Sequence, residues 1–114
     1  GDILALAGLE LAAKDDPRPP LAGVRLVLAR HLETLAEEEH RGWMDVRLKN
    51  GWRRCDRSAD ANVRRAMRAE RRSDCLVAYQ DLPEAEREKD RDTIRWYPRA
   101  AALAGLKIVA KSQR

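Results

Sequence analysis

Residues 40–52 of the chain, His-Arg-Gly-Trp-Met-Asp-Val-Arg-Leu-Lys-Asn-Gly-Trp, constrain the fold more than any other stretch. They read as the second half of a helix that stops at Gly51 and is followed at once by Trp52. At about 100° of rotation per residue, Trp43, Met44, Val46 and Leu48 point in four directions, and a helix that is apolar nearly all round is a buried one. His40, Trp43 and Arg47 fall at i, i+3 and i+7 and share one flank. Two aromatic rings beside an arginine and an imidazole suit a binding face; a core tryptophan under a snorkelling arginine accounts for them equally. Asn50-Gly51 also fits a hairpin turn, but a glycine after a lysine-ended helix is the stronger stop signal, so helix is the expectation here.

A chain of 114 residues is enough for one domain with a single core. Its richness in Ala, Leu, Arg and Glu favours helices. The 23 basic residues exceed the 19 acidic ones by a net +4, too small and too interleaved an excess to imply nucleic acid by itself. Cys55 and Cys75 lack metal or redox spacing, which points to free thiols in a reducing, cytoplasmic setting. No apolar run reaches membrane-spanning length, and residues 3–13 are too short and lack the basic start of a signal peptide. The bare Gly1 before Asp2 reads as a cloning remnant, which would make the chain a segment of a larger protein.

The order of elements follows from stop signals and periodicity. Asp2 can cap a short helix to about Lys14, and Pro17, Pro19 and Pro20 then force an extended break. Residues 1–20 accordingly read as an N-terminal arm or linker, residues 21–110 as the domain and residues 111–114 as a frayed tail. One long helix is expected over residues 21–49, bent near Gly42. Residues 53–57 read as loop, and Ser58 as the cap of an arginine-rich helix to about Arg71 with Val63, Ala66 and Met67 inside. Residues 75–79 form a short extended run. Asp81 caps a further helix that the charged residues 89–92 interrupt, that Pro98 kinks or restarts, and that Gly105 ends before a strand over residues 106–109.

Catalytic and metal chemistry find little support. His31 and His40 lie nine residues apart, about 180° around one helix, and neither cysteine has paired ligands nearby, so no metal is expected. Ser58 and Ser73 read as cap and turn residues, and no Cys/His arrangement is recognisable. Arg53, Arg54, Arg57, Arg64, Arg65, Arg68, Arg71 and Arg72 are the best argument for nucleic acid, but a solvated helix face paired with acidic residues 33–39 explains them as well, and nucleic acid is disfavoured.

The motifs carry a resemblance. His40, Trp43, Gly51 and Trp52 fit the first motif of the RyR domain, the repeat named for ryanodine receptors and found also in bacterial and phage proteins. Leu76, Val77, Tyr79, Leu82, Pro83, Asp90 and Arg91 match its second motif, and Ala104, Gly105, Leu106 and Ile108 its closing one. The likeness covers roughly residues 35–109. Ala78 replaces the family's usual proline, Ser73 and Asp74 stand where His-Pro is common, and the segment between Trp52 and Tyr79 is longer than usual. The resemblance implies a mainly α domain, a small helical module with short extended strands, cytosolic and without catalysis or cofactor. It further implies a sensor joined to a dinucleotide-binding, channel or effector domain, with a nucleotide-derived ligand suggested for the bacterial relatives. Residues 1–20 would then be the linker from such a domain.

Trp43, Arg47 and Trp52 from the helix end, with Tyr79 and Arg91 approaching from the second motif, are the candidate ligand-binding residues. Aromatic faces can stack a base, and arginines can fork onto phosphate. The alternative function is protein–protein assembly, as a homodimer or with a tandem partner domain.

Overall fold

The computed structural model describes residues 3–111. It is mainly α with short strands, the fold class that the resemblance implies. The order is a 3-10 turn Ile3–Ala7, β1 Leu9–Ala13, α1 Val24–Arg30, α2 Leu32–Lys49, β2 Arg53–Arg54, α3 Ala61–Ala69, β3 Arg72–Ser73, a 3-10 turn Tyr79–Asp81, α4 Glu84–Leu103 and β4 Leu106–Ala110. Asp2 as a cap, and most of the frayed tail, lie outside the described residues.

The core forms where α2 crosses α4. Leu35 and Ala36 of α2 and Ile94 and Ala101 of α4 are its centre, joined by Leu28 of α1. The expected helix over residues 2–14 does not form. Gly8, at φ +73°, ends the 3-10 turn, and β1 then pairs antiparallel with β4, Leu11 opposite Ile108. The reason is tertiary: a lone β4 would leave its backbone groups unpaired, and an apolar run this short serves as strand as readily as helix. The segment read as an arm thereby gives Leu4 and Leu9 to the core. The proline break is pinned as well. Leu21 N–H donates to Ile108 O at 3.0 Å, and Arg18 bonds Asp16 and Glu10 in the turn leading out of β1.

The long helix of residues 21–49 is two helices. It breaks at His31 (φ −108°, ψ 16°), which no glycine or proline marks, and runs through Gly42 without interruption. Its end is as the sequence requires. Gly51 takes φ +82°, its N–H donates to Leu48 O, and Trp52 N–H donates to Arg47 O at 3.0 Å. That pair of bonds is a Schellman stop. The expectation of a rod buried along its whole length is corrected. Beyond His40 the helix outruns its cover: Trp43 is half-buried, and Val46 and Leu48 are 58% and 56% exposed.

Four further expectations change. Asp60, not Ser58, caps α3, accepting from Asn62 N–H and Val63 N–H, because Ser58 is occupied with Asp60 N–H. α3 buries no residue, and Val63 remains 39% exposed, because among the described elements only β3 packs substantially against this helix. β2 and β3 pair in parallel over two residues each at its base. Residues 75–78 are irregular and Tyr79 opens a 3-10 turn, rather than a strand forming, because among the described residues no strand lies alongside to complete a ladder, though Leu76 and Tyr79 are buried. α4 passes unbroken through residues 89–92, where i,i+3 ion pairs such as Glu86–Lys89 and Asp92–Arg95 support it, and through Pro98.

A methyl group built on Gly51 would meet no atom within 4 Å, so Gly51→Ala tests backbone strain alone. We expect it to lower the unfolding free energy by about 1–2 kcal/mol in a urea titration with an unchanged m-value. A neutral result would remove the left-handed stop from the account of α2.

Candidate ligand-binding cleft

The projecting end of α2 carries a column of stacked groups. The His40 and Trp43 rings lie 5.6 Å apart and 17° from parallel. The Arg47 guanidinium follows, 5.4 Å from the Trp43 ring centroid and 4.7 Å from that of Trp52. The i, i+3, i+7 spacing aligns the first three groups. The fourth arrives because the Schellman turn brings Trp52 back over the helix it has just left: Arg47 accepts its N–H through the backbone and meets its indole through the side chain. A cation between two indole faces contributes about 0.5–2 kcal/mol per contact, according to how dry it is.

His40 anchors the column. It is 3% exposed, and its Nε2 lies 2.8 Å from Val77 O. A carbonyl only accepts, so Nε2 carries the proton and donates. Nδ1 then faces Asp90 Oδ2 at 3.6 Å, beyond hydrogen-bond distance. Burial raises the Asp90 pKa, and Glu39 and Glu86 add to the effect against the opposing influence of His40.

Two of the five candidate residues belong elsewhere. Tyr79 is buried with its ring 6.5 Å from that of His40, and its hydroxyl donates to Glu33 at 3.1 Å. Arg91 is claimed by Glu33, Glu84 and Glu88. Together they tie α2, the turn Tyr79–Asp81 and α4, and neither lines the clefts described beside Trp43. Trp43, Arg47 and Trp52 do meet.

Clefts open on the flanks of Trp43. One of about 220 Å³ has His40, Trp43, Cys75, Leu82 and Asp90 in its walls. It shares Trp43, Cys75, Glu86 and Lys89 with a wider one of about 450 Å³, whose far side is Arg57, Arg64, Arg68 and Arg72. A third, of about 520 Å³, lies toward Arg47, Gly42 and Tyr97. The Cys75 thiol is pushed up to about 11, first by burial and then by Glu86 and Asp74, so it stays protonated at neutral pH and is a poor nucleophile. Among the described residues no group of three or more His, Cys, Asp or Glu side chains is arranged to hold a metal ion, and no helix is long and apolar enough to cross a membrane. Asp90 escaped sequence reasoning as a cleft residue because its nearness to His40 spans fifty positions of chain. The i,i+4 spacing of Arg64 and Arg68 was the available signal for the opposite wall.

A small, mainly helical domain whose glycine-stopped helix displays stacked His, Trp and Arg groups beside a cleft is the class these features define. The model of the RyR domain family matches residues 21–110, and the chain belongs to that family. No curated protein matches it. The motif residues now have physical roles: His40 bonds Val77, Trp43 covers His40, and Gly51 places Trp52.

Asp90 gives a pH test. The folded protein holds its proton to a higher pH than the ordinary 3.8, so this group stabilises the fold most below that value and the contribution is lost as pH rises through the folded value. Asp90→Asn keeps the shape without the titration. Its stability relative to the native protein should therefore increase between about pH 4 and about pH 7 in thermal melts. A difference that stays constant with pH would show that Asp90 titrates as in the unfolded chain.

Proposed function

We propose that this RyR domain is a non-catalytic sensing module whose cleft at Trp43 holds a nucleotide-derived small ligand and reports its presence to an attached channel, dinucleotide-binding or effector domain. The observation that carries the reading is the pairing of surfaces in the smaller cleft. The Trp43 indole and Leu82 offer an apolar wall, and the Asp90 carboxylate beside them has no hydrogen-bond donor among the described residues. A planar heterocycle stacked on the indole can supply that donor from a ring or exocyclic N–H, which satisfies a half-buried acceptor at the same time as it buries a ring face. Family membership supports the regulatory setting. The protonated Cys75, and the commitment of His40 Nε2 to a backbone carbonyl, support binding without chemistry.

The exposed Val46 and Leu48 on the projecting end of α2 favour a second reading, in which this end packs on another copy or a tandem domain. Light scattering of the native chain and of Val46→Glu separates the two: assembly predicts a dimer that the substitution dissociates.

For the ligand reading, adenosine, ADP and ADP-ribose should be tested by thermal shift. A ligand at about 100 times its Kd stabilises by ~2.7 kcal/mol, or several degrees for a domain of this size. Trp43→Ala should erase the shift. A flat response to the whole panel in the native protein would end the proposal.

A further inference from the structure

We infer that α3 carries an anion subsite, in which Arg64 and Arg68 take the phosphates of a ligand whose ring rests on Trp43. This deepens the reading above and rests on it for the ring.

Three observations converge. First, the wider cleft is unbalanced in charge, with five basic and two acidic side chains in its lining. The two carboxylates are already engaged, Asp74 with Arg57 at 3.5 Å and Glu86 with Lys89 at 3.1 Å. Arg64 reaches only the backbone carbonyls of Ser58 and Ala59, and no described carboxylate lies within ion-pair distance of Arg64 or Arg68. Two guanidinium groups are thus left facing one hollow without a counter-charge, which is the arrangement a forked phosphate contact needs.

Second, α3 turns one face to this hollow. Arg64, Met67 and Arg68, at i, i+3 and i+4, are its lining residues, while Arg65 is not among them. A helix adapted to a nucleic-acid backbone would present its arginines along an outer stripe. Here two of them share a concave wall with an indole, which suits a small polyanion.

Third, α3 buries no side chain of its own, yet Val63 and Met67 give it an apolar edge. A helix held by so little burial opens at low free-energy cost. A phosphate bridging Arg64 and Arg68 to Lys89 on α4 would draw it against the body and order it.

The experiment uses the full chain with three probes: ADP, adenosine and inorganic pyrophosphate. Tryptic cleavage after Arg64, Arg65 and Arg68 reports opening of α3, and calorimetry reports affinity. ADP and pyrophosphate should each slow cleavage about fivefold or more, and adenosine should not. The variants Arg64→Gln/Arg68→Gln and Arg64→Ala/Arg68→Ala should weaken ADP by about tenfold or more while leaving adenosine within about twofold, whereas Trp43→Ala should weaken both nucleotides. Because α3 contributes no buried side chain, both double variants should keep the native melting temperature. Unchanged ADP affinity in them, or no protection by pyrophosphate in the native chain, overturns the subsite even if adenosine still binds. Loss of adenosine and ADP binding with pyrophosphate protection intact would overturn the ring site and leave the subsite standing. Salt-sensitive binding of mixed-sequence DNA that the double variants abolish, with no response to pyrophosphate, would assign these arginines to nucleic acid instead.

Discussion

The hydrogen bond from His40 Nε2–H to Val77 O ties the exposed half of α2 to the irregular segment that leads into the turn Tyr79–Asp81. Residues 74–78 form no ladder and no helix, so their backbone groups depend on individual partners. A buried imidazole supplies one of them from α2, at 2.8 Å. An unpaired carbonyl at this depth would cost about 1–3 kcal/mol, comparable to removing a buried aliphatic side chain in part. Once the imidazole is fixed there, its two faces and its second nitrogen are fixed too. Trp43 stacks on it, Tyr79 approaches it at 55°, and Asp90 is brought alongside Nδ1. The cleft is therefore a consequence of how one buried polar group is satisfied.

The ion network around Arg91 plays a different part. Its side chain is 14% exposed, and Glu33, Glu84 and Glu88 surround it from two helices, while Tyr79 adds a hydroxyl to Glu33. The carboxylates themselves are 44–65% exposed, so solvent screens much of the attraction. What the network supplies is direction. It fixes the crossing of α2 and α4 and places Tyr79 behind His40. Glu33, Glu84 and Glu88 all have lowered pKa values, chiefly through Arg91 and Arg95, so they remain charged when other carboxylates begin to protonate.

What could be read from the sequence divides along the same line. The stop at Gly51 and the end of α4 before Gly105 were legible, because each depends on residues a few positions apart. Glycine in the left-handed region and the i, i+3, i+7 spacing are local facts. The misreadings are non-local. Residues 9–13 read as helix in the sequence because their strand partner lies about ninety-five residues away. The break at His31 has no residue signal. Nothing in the spacing of Tyr79 and Arg91 shows that Glu33, some fifty positions earlier, meets both. The depth of Trp43 was overestimated because periodicity tells which residues share a face, and not whether another element extends far enough to cover it.

The two sides of the wider cleft differ in stiffness for a reason visible in their burial. On one side Trp43 is backed by the buried His40, and His40 by Tyr79, which belongs to the core that includes Ile94. Displacing the indole in that direction would require repacking side chains that touch on every face, and interiors packed to crystal density do not yield gradually. On the other side α3 hangs from two-residue strands, with Arg71 at φ +58° accepting the strain that a glycine would avoid and its guanidinium reaching back to Asn50 O at 3.2 Å. Few buried contacts and a strained hinge place this segment at the low end of local stability. Trp43 marks the boundary, and Trp52, whose neighbour Arg53 opens β2 and donates to Arg71 O at 2.9 Å, is the covalent step from the stiff side to the soft one. A shape with one fixed wall and one yielding wall can discriminate a ring by fit while accommodating whatever the ring carries, because only the yielding wall has to reorganise.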